Sequence, residues 1–518
     1  MTGKGHILNA AASFTPLPPG AGLGVRANPK RRLELCAHPT SLSKAWPAGV
    51  GGAGGRIPGP ARHRRGVVLV MVMVLAMLAT LMAATLMYRV HGETAAGVAD
   101  ARGEQAYAVA MSGVQAAIMV IIESRGDPEL WYDNPQLFHH VKVAEEGRER
   151  WYFTIFAAGG EDEAPWRYGV VDESGRISIN HFDEQALEQM LRELPGMNTV
   201  MVDSLLDYRD ADHDPRPEGA EQDYYDRLPH PYRIANGPLA TVEELLLVRG
   251  FTGEAVYGRD RLMSRMRPEA LADDRIGIDF DDAARRGLAA YLTAFSYGPN
   301  VDSDNRPRVN INGPAVALQA AGLSEATIEF IALARGDGVQ FNHAADLLDA
   351  EHTLESRPRG RRDLNSGTVI RSHVDEFELE LVMDRLTASP QRAHFGLINI
   401  NTAPMAVLAA IPGIEADVAE RIVATRSGLD AASRRTTAWL YTHDLLDAAT
   451  FKQVAPHVAA RGYQYRIRCV GYAMPSGRYR VIEAVVDLGR GSPRIIYQRD
   501  LTRLGLPFAL EGDAEVVR

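Results

Sequence analysis

The sequence predicts an α+β fold in which one long N-terminal helix packs on an antiparallel sheet and a large all-α domain is inserted between the strands. Three observations predict this fold. An uncharged stretch near the N-terminus continues into a helix-compatible stretch that contains no proline. Strand-like stretches occur at both ends of the chain that follows. Between them, a helical pattern recurs three times.

The long helix begins with a predicted membrane span at Val67 to Met87, which holds 21 residues without a charge. At about 1.5 Å per residue, this run is roughly 30 Å long and crosses one bilayer. Arg62, Arg64 and Arg65 precede it. Basic residues stay on the cytoplasmic side, so we expect a single-pass inner-membrane protein whose C-terminal part lies in the periplasm. A simple signal anchor would show the same pattern.

The junction before the span indicates proteolytic processing between Gly66 and Val67. The apolar run is long for a cleaved signal peptide, and no Ala-x-Ala site follows at a fitting distance. A basic pair, a glycine and then an apolar run are instead typical of a site where a leader is cut off and the helix is kept. Removal of the leader leaves 46 basic and 65 acidic residues, a net charge of about −19. That charge opposes binding to nucleic acid.

The chain divides into five predicted segments. The long helix has no proline before Pro128, alternating strand patterns occur near Trp151 and Tyr465, and the middle is helical. Of two cysteines only Cys469 remains after cleavage, so the exported part has no intrachain disulfide. The predicted segments are a leader peptide at 1–66, a transmembrane and N-terminal helix at 67–125, a β region at 126–180, the inserted α-helical domain at 181–455 and a C-terminal β region at 456–518.

The helical middle contains three similar units, each predicted to form a helix, a tight glycine turn and a second helix. Every unit opens with a short apolar string that ends in asparagine, has a glycine before an apolar residue, and places an arginine thirteen residues after that glycine. The glycine–arginine pairs are Gly196 and Arg209, Gly322 and Arg335, and Gly413 and Arg426.

The third unit, Leu397 to Arg426, looks like a helix-hairpin-helix motif. In DNA-binding versions, hairpin glycines expose backbone N–H groups to a phosphate. Glu415 stands here where a second glycine would be, and its carboxylate would repel phosphate. We therefore expect a packing role and no nucleic-acid partner. The alternative function is that of a pilin-like periplasmic DNA-binding protein that uses these hairpins.

The first unit carries a large acidic loop, Asp207 to Pro238, which is a candidate calcium site. Carboxylates at alternating positions in a Pro/Gly-containing loop suit a hard cation with oxygen ligands, above all Ca²⁺. A solvated acidic loop, or pairing with Arg216 and Arg227, would explain the same residues. The second acidic cluster, Asp302 and Asp304 with Asn305, is a weaker candidate. The predicted metal ligands are Asp210, Asp212, Asp214, Glu218, Glu221 and Asp223.

No catalytic motif stands out. The sequence has no His-Glu-x-x-His, no Gly-x-Ser-x-Gly and no phosphate-binding glycine loop. His139, His140, His181 and His213 are scattered and are predicted to be surface residues and not ligands. We therefore predict that the protein is not an enzyme.

Six parts of the sequence are informative when taken together: Gly66-Val67, Glu104 to Tyr107 with Ser112-Gly113, Val171 to Asn180, Leu205 to Asp212, Gly219 to Tyr225, and Leu397 to Pro404. In these strings the chain resembles the K-type minor pseudopilins of type II secretion systems. The resemblance covers most of the chain after Gly66, and its most specific parts are the two strings in the middle of the set.

The resemblance implies a pilin-like fold with an α-helical insertion and bound calcium. It implies cleavage by prepilin peptidase and a place at the tip of a periplasmic pseudopilus, where the protein acts in assembly and initiation during secretion across the outer membrane. The implied partners are the I- and J-type minor pseudopilins and the major pseudopilin. Most pseudopilins carry glutamate at the fifth mature position, where it is thought to neutralise the N-terminal amine of the subunit above. Met71 takes that place here. A tip subunit has none above it, and an unpaired carboxylate in lipid is costly.

We predict cleavage between Gly66 and Val67, because a cut at this junction leaves the apolar helix intact as the new N-terminus. N-terminal sequencing of the membrane-extracted protein is expected to begin at Val67. A mature chain that starts beyond Met87 would contradict the pseudopilin interpretation, since the membrane helix would then be lost.

Overall fold

The structure is a computed structural model that describes residues 65–124, 127–159, 166–180, 183–258, 286–354, 367–506, 508 and 510. The predicted leader lies outside the described residues except for its last two positions. The chain forms two compact units, Met1–Ala101 and Arg102–Arg518.

Between the N-terminal helix and the last strands, helices hold more of the described residues than strands do. The α-helices are α1 (Arg65–Ser124), α2 (Pro135–Phe138), α3 (Glu184–Glu193), α4 (Thr199–Arg209), α5 (Gln222–Tyr225), α6 (Gly253–Tyr257), α7 (Ala315–Ala320), α8 (Glu325–Gly336), α9 (Glu376–Arg385), α10 (Met405–Ala409), α11 (Ala416–Gly428), α12 (Trp439–Thr442) and α13 (Ala448–Val454). The 3-10 helices are Pro128–Leu130, Glu173–Gly175, Val242–Leu247, Leu288–Ala290, Ala344–Leu347, Ser433–Arg435, Ala455–His457 and Thr502–Leu504.

The longer strands lie near the two ends of the second unit, and most of the strands between them have two residues. The strands are β1 (Val141–Glu146), β2 (Glu149–Ile155), β3 (Ala157–Ala158), β4 (Trp166–Arg167), β5 (Val171–Asp172), β6 (Ile177–Ser178), β7 (Leu292–Thr293), β8 (Gly298–Pro299), β9 (Val309–Asn310), β10 (Glu351–Thr353), β11 (Val369–Arg371), β12 (Leu386–Thr387), β13 (Ala393–His394), β14 (Ile398–Asn399), β15 (Val458–Ala459), β16 (Gln464–Met474), β17 (Tyr479–Asp487) and β18 (Arg494–Asp500).

The main sheet is antiparallel and draws its strands from both ends of the second unit. Its order is β1-β2-β16-β17-β18, and the short β5 also pairs with β16. β1, β2 and β5 precede the helical middle, whereas β16, β17 and β18 follow it. The α+β class predicted from the sequence is confirmed by this combination of a long N-terminal helix and an antiparallel sheet.

The first unit contains the apolar part of α1. The helix from Val68 onward is long and apolar enough to cross a membrane, by length and composition. Its large apolar side chains from Val68 to Val90 are exposed within the unit, among them Met71 at 64%. Among the described residues of this unit, no protein core covers these side chains, which is consistent with a membrane anchor.

In the second unit, the last turns of α1 pack on the sheet through small residues. Ala106, Ala110 and Ala117 are fully buried in a core cluster shared with β2, β16 and β17. A Cβ atom added at Gly471 of β16 would lie 2.3 Å from the backbone N of Ala110. One added at Gly113 would lie 2.4 Å from Sγ of Cys469. The helix therefore approaches the sheet at a distance that only glycine permits at these two positions.

Each repeated sequence unit forms two helices separated by a glycine in the left-handed region. The pairs are α3 and α4, α7 and α8, and α10 and α11. Gly196, Gly322 and Gly413 have φ of 85°, 75° and 93°. Glycine adopts this conformation without the steric cost that a side chain brings, so the same residue recurs at the same place.

A parallel strand pair closes each unit. β6 pairs with β7, β9 with β12, and β14 with β15. The apolar string that opens a unit is thus the first strand of its pair, and the chain returns to it after the helices. The parallel connection places helices between the two strands, as parallel pairing requires.

The asparagine that ends each opening string forms a hydrogen bond with the backbone of a later part of its own unit. Its side-chain amide bonds the backbone of the segment that follows the second helix, which satisfies buried polar groups in a region without long strands. These bonds run from Asn180 Nδ2 to the carbonyl of Leu239 at 2.8 Å, from Asn312 Nδ2 to the carbonyl of Phe341 at 2.8 Å, and from Asn401 Nδ2 to the carbonyl of Arg434 at 2.9 Å.

The arginine at the fixed distance from the glycine returns to the start of its unit in the second and third repeats. Arg335 Nη2 donates to the carbonyl of Asn312 at 2.9 Å. Arg426 Nη1 donates to the carbonyls of Ile400 and Ala403 at 3.1 Å and 2.6 Å. The thirteen-residue spacing therefore positions a charged donor over backbone carbonyl groups at the start of the first helix.

We predict that Gly471→Ala destabilises the protein by at least about 1–3 kcal/mol, because the new methyl group collides with helix backbone that has little room to move. Thermal or urea unfolding of the full chain in detergent measures the change. Gly428→Ala at the end of α11 is the matched control, since its Cβ would meet no atom within 4 Å. Equal stability of the two variants would contradict the tight helix–sheet packing.

Candidate metal centre

Three carboxylates converge where the acidic loop leaves and re-enters helical structure. Asp207 lies in the last turn of α4, Asp210 follows the helix end, and Glu221 precedes α5. Residues three apart share one face at a helix end, so Asp207 and Asp210 point the same way. One oxygen atom from each of the three carboxylates lies within 4.8 Å of the others.

Arg216 neutralises one side of this group. Its Nη1 donates to Asp207 Oδ1 at 2.6 Å and to Asp210 Oδ2 at 2.8 Å, and its Nη2 contacts Glu184. The backbone N–H of Arg216 also donates to the carboxylate of Asp207. The pairing with Arg216 considered from the sequence is therefore present for Asp207 and Asp210.

The other side of the group has oxygen atoms without hydrogen-bond partners. Oδ1 of Asp210 and both carboxylate oxygens of Glu221 are buried and accept no hydrogen bond from a described residue. Glu221 is 6% exposed. Buried carboxylate oxygens are normally paired with donors or with a cation. Three such oxygens beside one another form a donor set that fits an oxygen-binding divalent cation.

Electrostatics in the group favour a bound positive charge. Burial raises the pKa of Glu221, and the nearby charges of Asp210 and Asp207 raise it further. Burial also raises the pKa of Asp207, against the opposing effect of Arg216. The ionised form of Glu221 is thus disfavoured in the protein alone, and a cation would relieve this cost.

The loop is held closely against the carboxylates by glycine and by backbone contacts. A Cβ at Gly219 would lie 1.9 Å from Oδ2 of Asp207, so this position requires glycine. Arg249 Nη1 donates to the carbonyl of Gly219 at 2.8 Å, and Asp203 Oδ2 accepts from the backbone N of Glu218 at 3.2 Å. These contacts fix the loop path that brings Glu221 beside α4.

The structure brings together two of the six predicted ligands and adds one that the sequence interpretation missed. Asp210 and Glu221 belong to the compact group, and Asp207 is the addition. Asp207 has a sequence signal, because its three-residue spacing from Asp210 places both on one face of a helix. The other four predicted ligands are exposed at the loop surface: Asp212, Asp214, Glu218 and Asp223.

In the second acidic cluster, Asp302 accepts hydrogen bonds from the backbone of its own turn. Asp302 Oδ1 accepts from the backbone N–H groups of Asp304 and Arg306 at 2.9 Å and 2.7 Å. Asp304 forms an exposed ion pair with Arg306. The carboxylate of Asp302 is thus satisfied by the turn in which it lies.

The hairpin of the third unit presents acidic side chains. Gly413 is exposed, and a Cβ there would lie 3.2 Å from the Gln453 side chain of α13. Glu415, Asp417 and Glu420 are exposed on the turn and on α11. Carboxylates at this surface would repel the phosphate backbone of a nucleic acid.

The two residues of the predicted cleavage site lie at the start of α1. Gly66 and Val67 fall in its first turn, directly after Arg65. Met71 follows one turn later, in the apolar stretch. The sequence interpretation of these three positions stays a prediction.

Comparison with known protein families gives a match over the segment that contains the acidic group. Residues 169–262 match the family described as type II secretion system (T2SS), protein K. The resemblance to this family is confirmed. The matched segment holds Asp207, Asp210, Arg216 and Glu221 together with the first repeated unit.

Solved structures and curated proteins add little to this match. One similar chain comes from the crystal structure of the GspK-GspI-GspJ complex of the type 2 secretion system of enterotoxigenic Escherichia coli. It is 13% identical, with a TM-score of 0.32, and the alignment covers 77% of this chain and 99% of that one. No curated protein matches the chain.

We predict that Glu221→Gln raises the melting temperature of the full chain at neutral pH in the presence of a chelator. The raised pKa of Glu221 means that its ionised form weakens the metal-free fold, and glutamine carries no charge. The gain is expected to shrink as the pH falls through the unfolded-state pKa of about 4.3, below which wild-type Glu221 is protonated in both states.

Glu218→Gln is the matched control for this experiment, because Glu218 is exposed on the same loop and its loss changes little. A lower melting temperature for Glu221→Gln in chelator at neutral pH would show that the protein alone already compensates the buried charge.

Proposed function

We propose that this protein is a minor pseudopilin that acts in the assembly of a type II secretion pseudopilus. The observation that carries the proposal is the match of residues 169–262 to protein K of this system. The candidate membrane-spanning helix supports it, because a pseudopilin is held in the inner membrane before assembly. The work of such a protein is assembly and not catalysis, which agrees with the lack of catalytic motifs in the sequence.

The proposed site of action is the tip of the pseudopilus, where assembly begins. Support comes from Met71, since a helix that ends a fibre has no subunit above it whose N-terminal amine needs a carboxylate. After cleavage by prepilin peptidase, the proposed partners are the I- and J-type minor pseudopilins and, below them, the major pseudopilin. The exported part would then lie in the periplasm.

We propose that Ca²⁺ binds between Asp207, Asp210 and Glu221. Calcium prefers carboxylate oxygens, and three of the oxygens in this group are buried without partners. The ion would supply positive charge where Arg216 reaches only Asp207 and Asp210. It would thereby tie the loop before α5 to the end of α4.

DNA binding through the helical hairpins is the second candidate function. It is favoured only by the similarity of the third unit to helix-hairpin-helix motifs. The exposed Glu415, Asp417 and Glu420 and the net charge of about −19 after Gly66 weigh against it.

We predict that calcium raises the melting temperature of the wild-type full chain above its value in chelator. Binding to the folded state alone stabilises by about 2.7 kcal/mol when the ion is at one hundred times its Kd. Glu221→Gln is expected to remove most of the rise, whereas Asp223→Asn, an exposed loop carboxylate, keeps it.

The double variant Asp212→Ala with Asp214→Ala distinguishes two ligand sets. If the loop carboxylates predicted from the sequence bind the ion, this variant loses the calcium-dependent rise. If the compact group binds it, the rise is kept. Identical wild-type melting curves in chelator and in excess calcium would contradict a calcium site altogether.

We predict that deletion of the gene stops type II secretion and leaves the secreted enzymes in the periplasm, because assembly lacks its starting subunit. Re-expression of the full chain restores secretion, and the chain co-purifies with the I- and J-type pseudopilins of the same cells. Intact secretion combined with a loss of DNA uptake, or micromolar DNA binding at low salt, would favour the alternative function.

A further inference from the structure

A cavity of about 280 Å³ lies where the second and third repeated units meet the start of β16. Arg308 enters it just before β9, His343 just before the 3-10 helix Ala344–Leu347, and His394 from β13. Arg461 and Tyr463 line it from the segment that leads into β16. The cavity is separate from the carboxylate group of the acidic loop, whose residues do not line it.

The lining is cationic and rich in hydrogen-bond donors. Among the described residues that line the cavity there is no aspartate and no glutamate. Three arginines, two histidines and several hydroxyl groups face it. They include Arg308, His343, His394, Thr437 and Arg461.

Arg308 forms no ion pair with any described residue. Its Nε donates to the backbone carbonyl of Asp384 at 2.9 Å. The carboxylate of Asp384 is instead engaged by Ser303 at 2.8 Å and 2.7 Å and by Arg461 at 3.4 Å. Among the described residues, no carboxylate forms an ion pair with Arg308, and its two terminal amino groups stay available. Burial and the charge of Arg461 lower the pKa of Arg308 to about 10, against the opposing charges of Asp384 and Asp302, which act at longer range.

The two histidines beside Arg308 are neutral and can donate hydrogen bonds. His343 Nδ1 accepts from the backbone N–H of Ala345 at 3.1 Å, so the ring proton of the neutral form is on Nε2. His394 Nε2 is buried and has no hydrogen-bond partner. Burial lowers the pKa of both rings to about 4, and the charge of Arg308 acts in the same direction.

A further hydroxyl group lines the cavity without a partner. Thr437 is 5% exposed, and its Oγ1 makes no hydrogen bond. A half-buried guanidinium without an ion pair and buried polar atoms without partners are both costly, unless something occupies the space and compensates them. Water can fill a polar cavity of this size, but it supplies no negative charge.

We propose that this cavity binds a small oxyanion of the phosphate or sulfate class, with Arg308 as the charged anchor and the Nε2 atoms of His343 and His394 as neutral donors. The planar fork of an arginine suits two oxygens of a tetrahedral anion. The ion would join the second unit to the third and to the start of the sheet. This site goes beyond the proposed role in secretion and does not depend on it.

Equilibrium dialysis of the full chain in detergent against labelled inorganic phosphate tests the proposal, at constant ionic strength set with sodium chloride. The wild type is expected to bind one phosphate per chain in a saturable manner, and excess sulfate competes. Arg308→Gln is expected to weaken binding by about tenfold to a hundredfold, since a charge-assisted contact is lost.

Arg306→Gln is the matched control, because Arg306 is exposed and pairs with Asp304 two residues from the site. It keeps wild-type affinity. His394→Phe is the second variant, which retains the ring and loses the donor, and it weakens binding by a smaller factor. If Arg308→Gln does not fold, the phosphate affinities of His394→Phe and Arg306→Gln still test the proposal, because only the first of these variants is expected to bind more weakly than the wild type.

A thermal shift experiment provides an independent readout. Phosphate raises the melting temperature of the wild type and of Arg306→Gln more than chloride does at the same ionic strength, and this excess is absent in Arg308→Gln. The proposal is overturned if the wild type binds no phosphate in dialysis. It is equally overturned if phosphate raises the melting temperature of all three proteins by the same amount, as a non-specific salt effect would.

Discussion

A buried ion-pair network connects the main sheet to the helical middle of the second unit. Arg466 of β16 lies between two fully buried carboxylates: Nε donates to Glu173 at 2.6 Å and Nη1 to Glu483 at 3.0 Å. Thr293 of β7 donates to the second oxygen of Glu173. Burial alone would raise the pKa of Glu483, but the guanidinium groups of Arg468 and Arg466 hold it below its ordinary value. Because removal of one partner would leave a buried charge uncompensated, the network fixes β7 against the sheet.

The residue before Glu173 makes the corresponding connection to the third unit. Asp172 accepts hydrogen bonds from Asn399 at 2.7 Å and from Thr402 at 2.9 Å, and burial raises its pKa. A Cβ at Gly462 would lie 2.1 Å from the same carboxylate. Two adjacent acidic residues therefore attach the first and third units to the sheet, which gives a physical reason for the string from Val171 to Asn180.

The candidate calcium site and the anion cavity share a property that this network lacks. The network satisfies its charges within the protein. In contrast, both carboxylate oxygens of Glu221 are buried without a hydrogen-bond donor among the described residues. Arg308 forms no ion pair with a described residue, and Asp384 and Asp302 act on it only at longer range. The two sites have opposite signs, so they call for different ions. Each lies where separate segments meet: α4 and the acidic loop in one case, and two repeated units and β16 in the other. Bound ions at such places stabilise the folded state and leave the unfolded chain unaffected.

Local periodicity and backbone freedom made three features predictable from the sequence: the apolar length of α1, the strands at both ends, and the glycine turns of the three units. The three-residue spacing on one helix also places Asp207 beside Asp210, although the predicted ligands did not include Asp207. That Glu221 joins them while Asp212 and Asp214 face solvent depends on contacts between distant segments, because Arg216, Arg249 and the close approach at Gly219 set the loop path. The cavity around Arg308 was equally beyond the sequence, because its lining comes from segments far apart in the chain that meet only after folding.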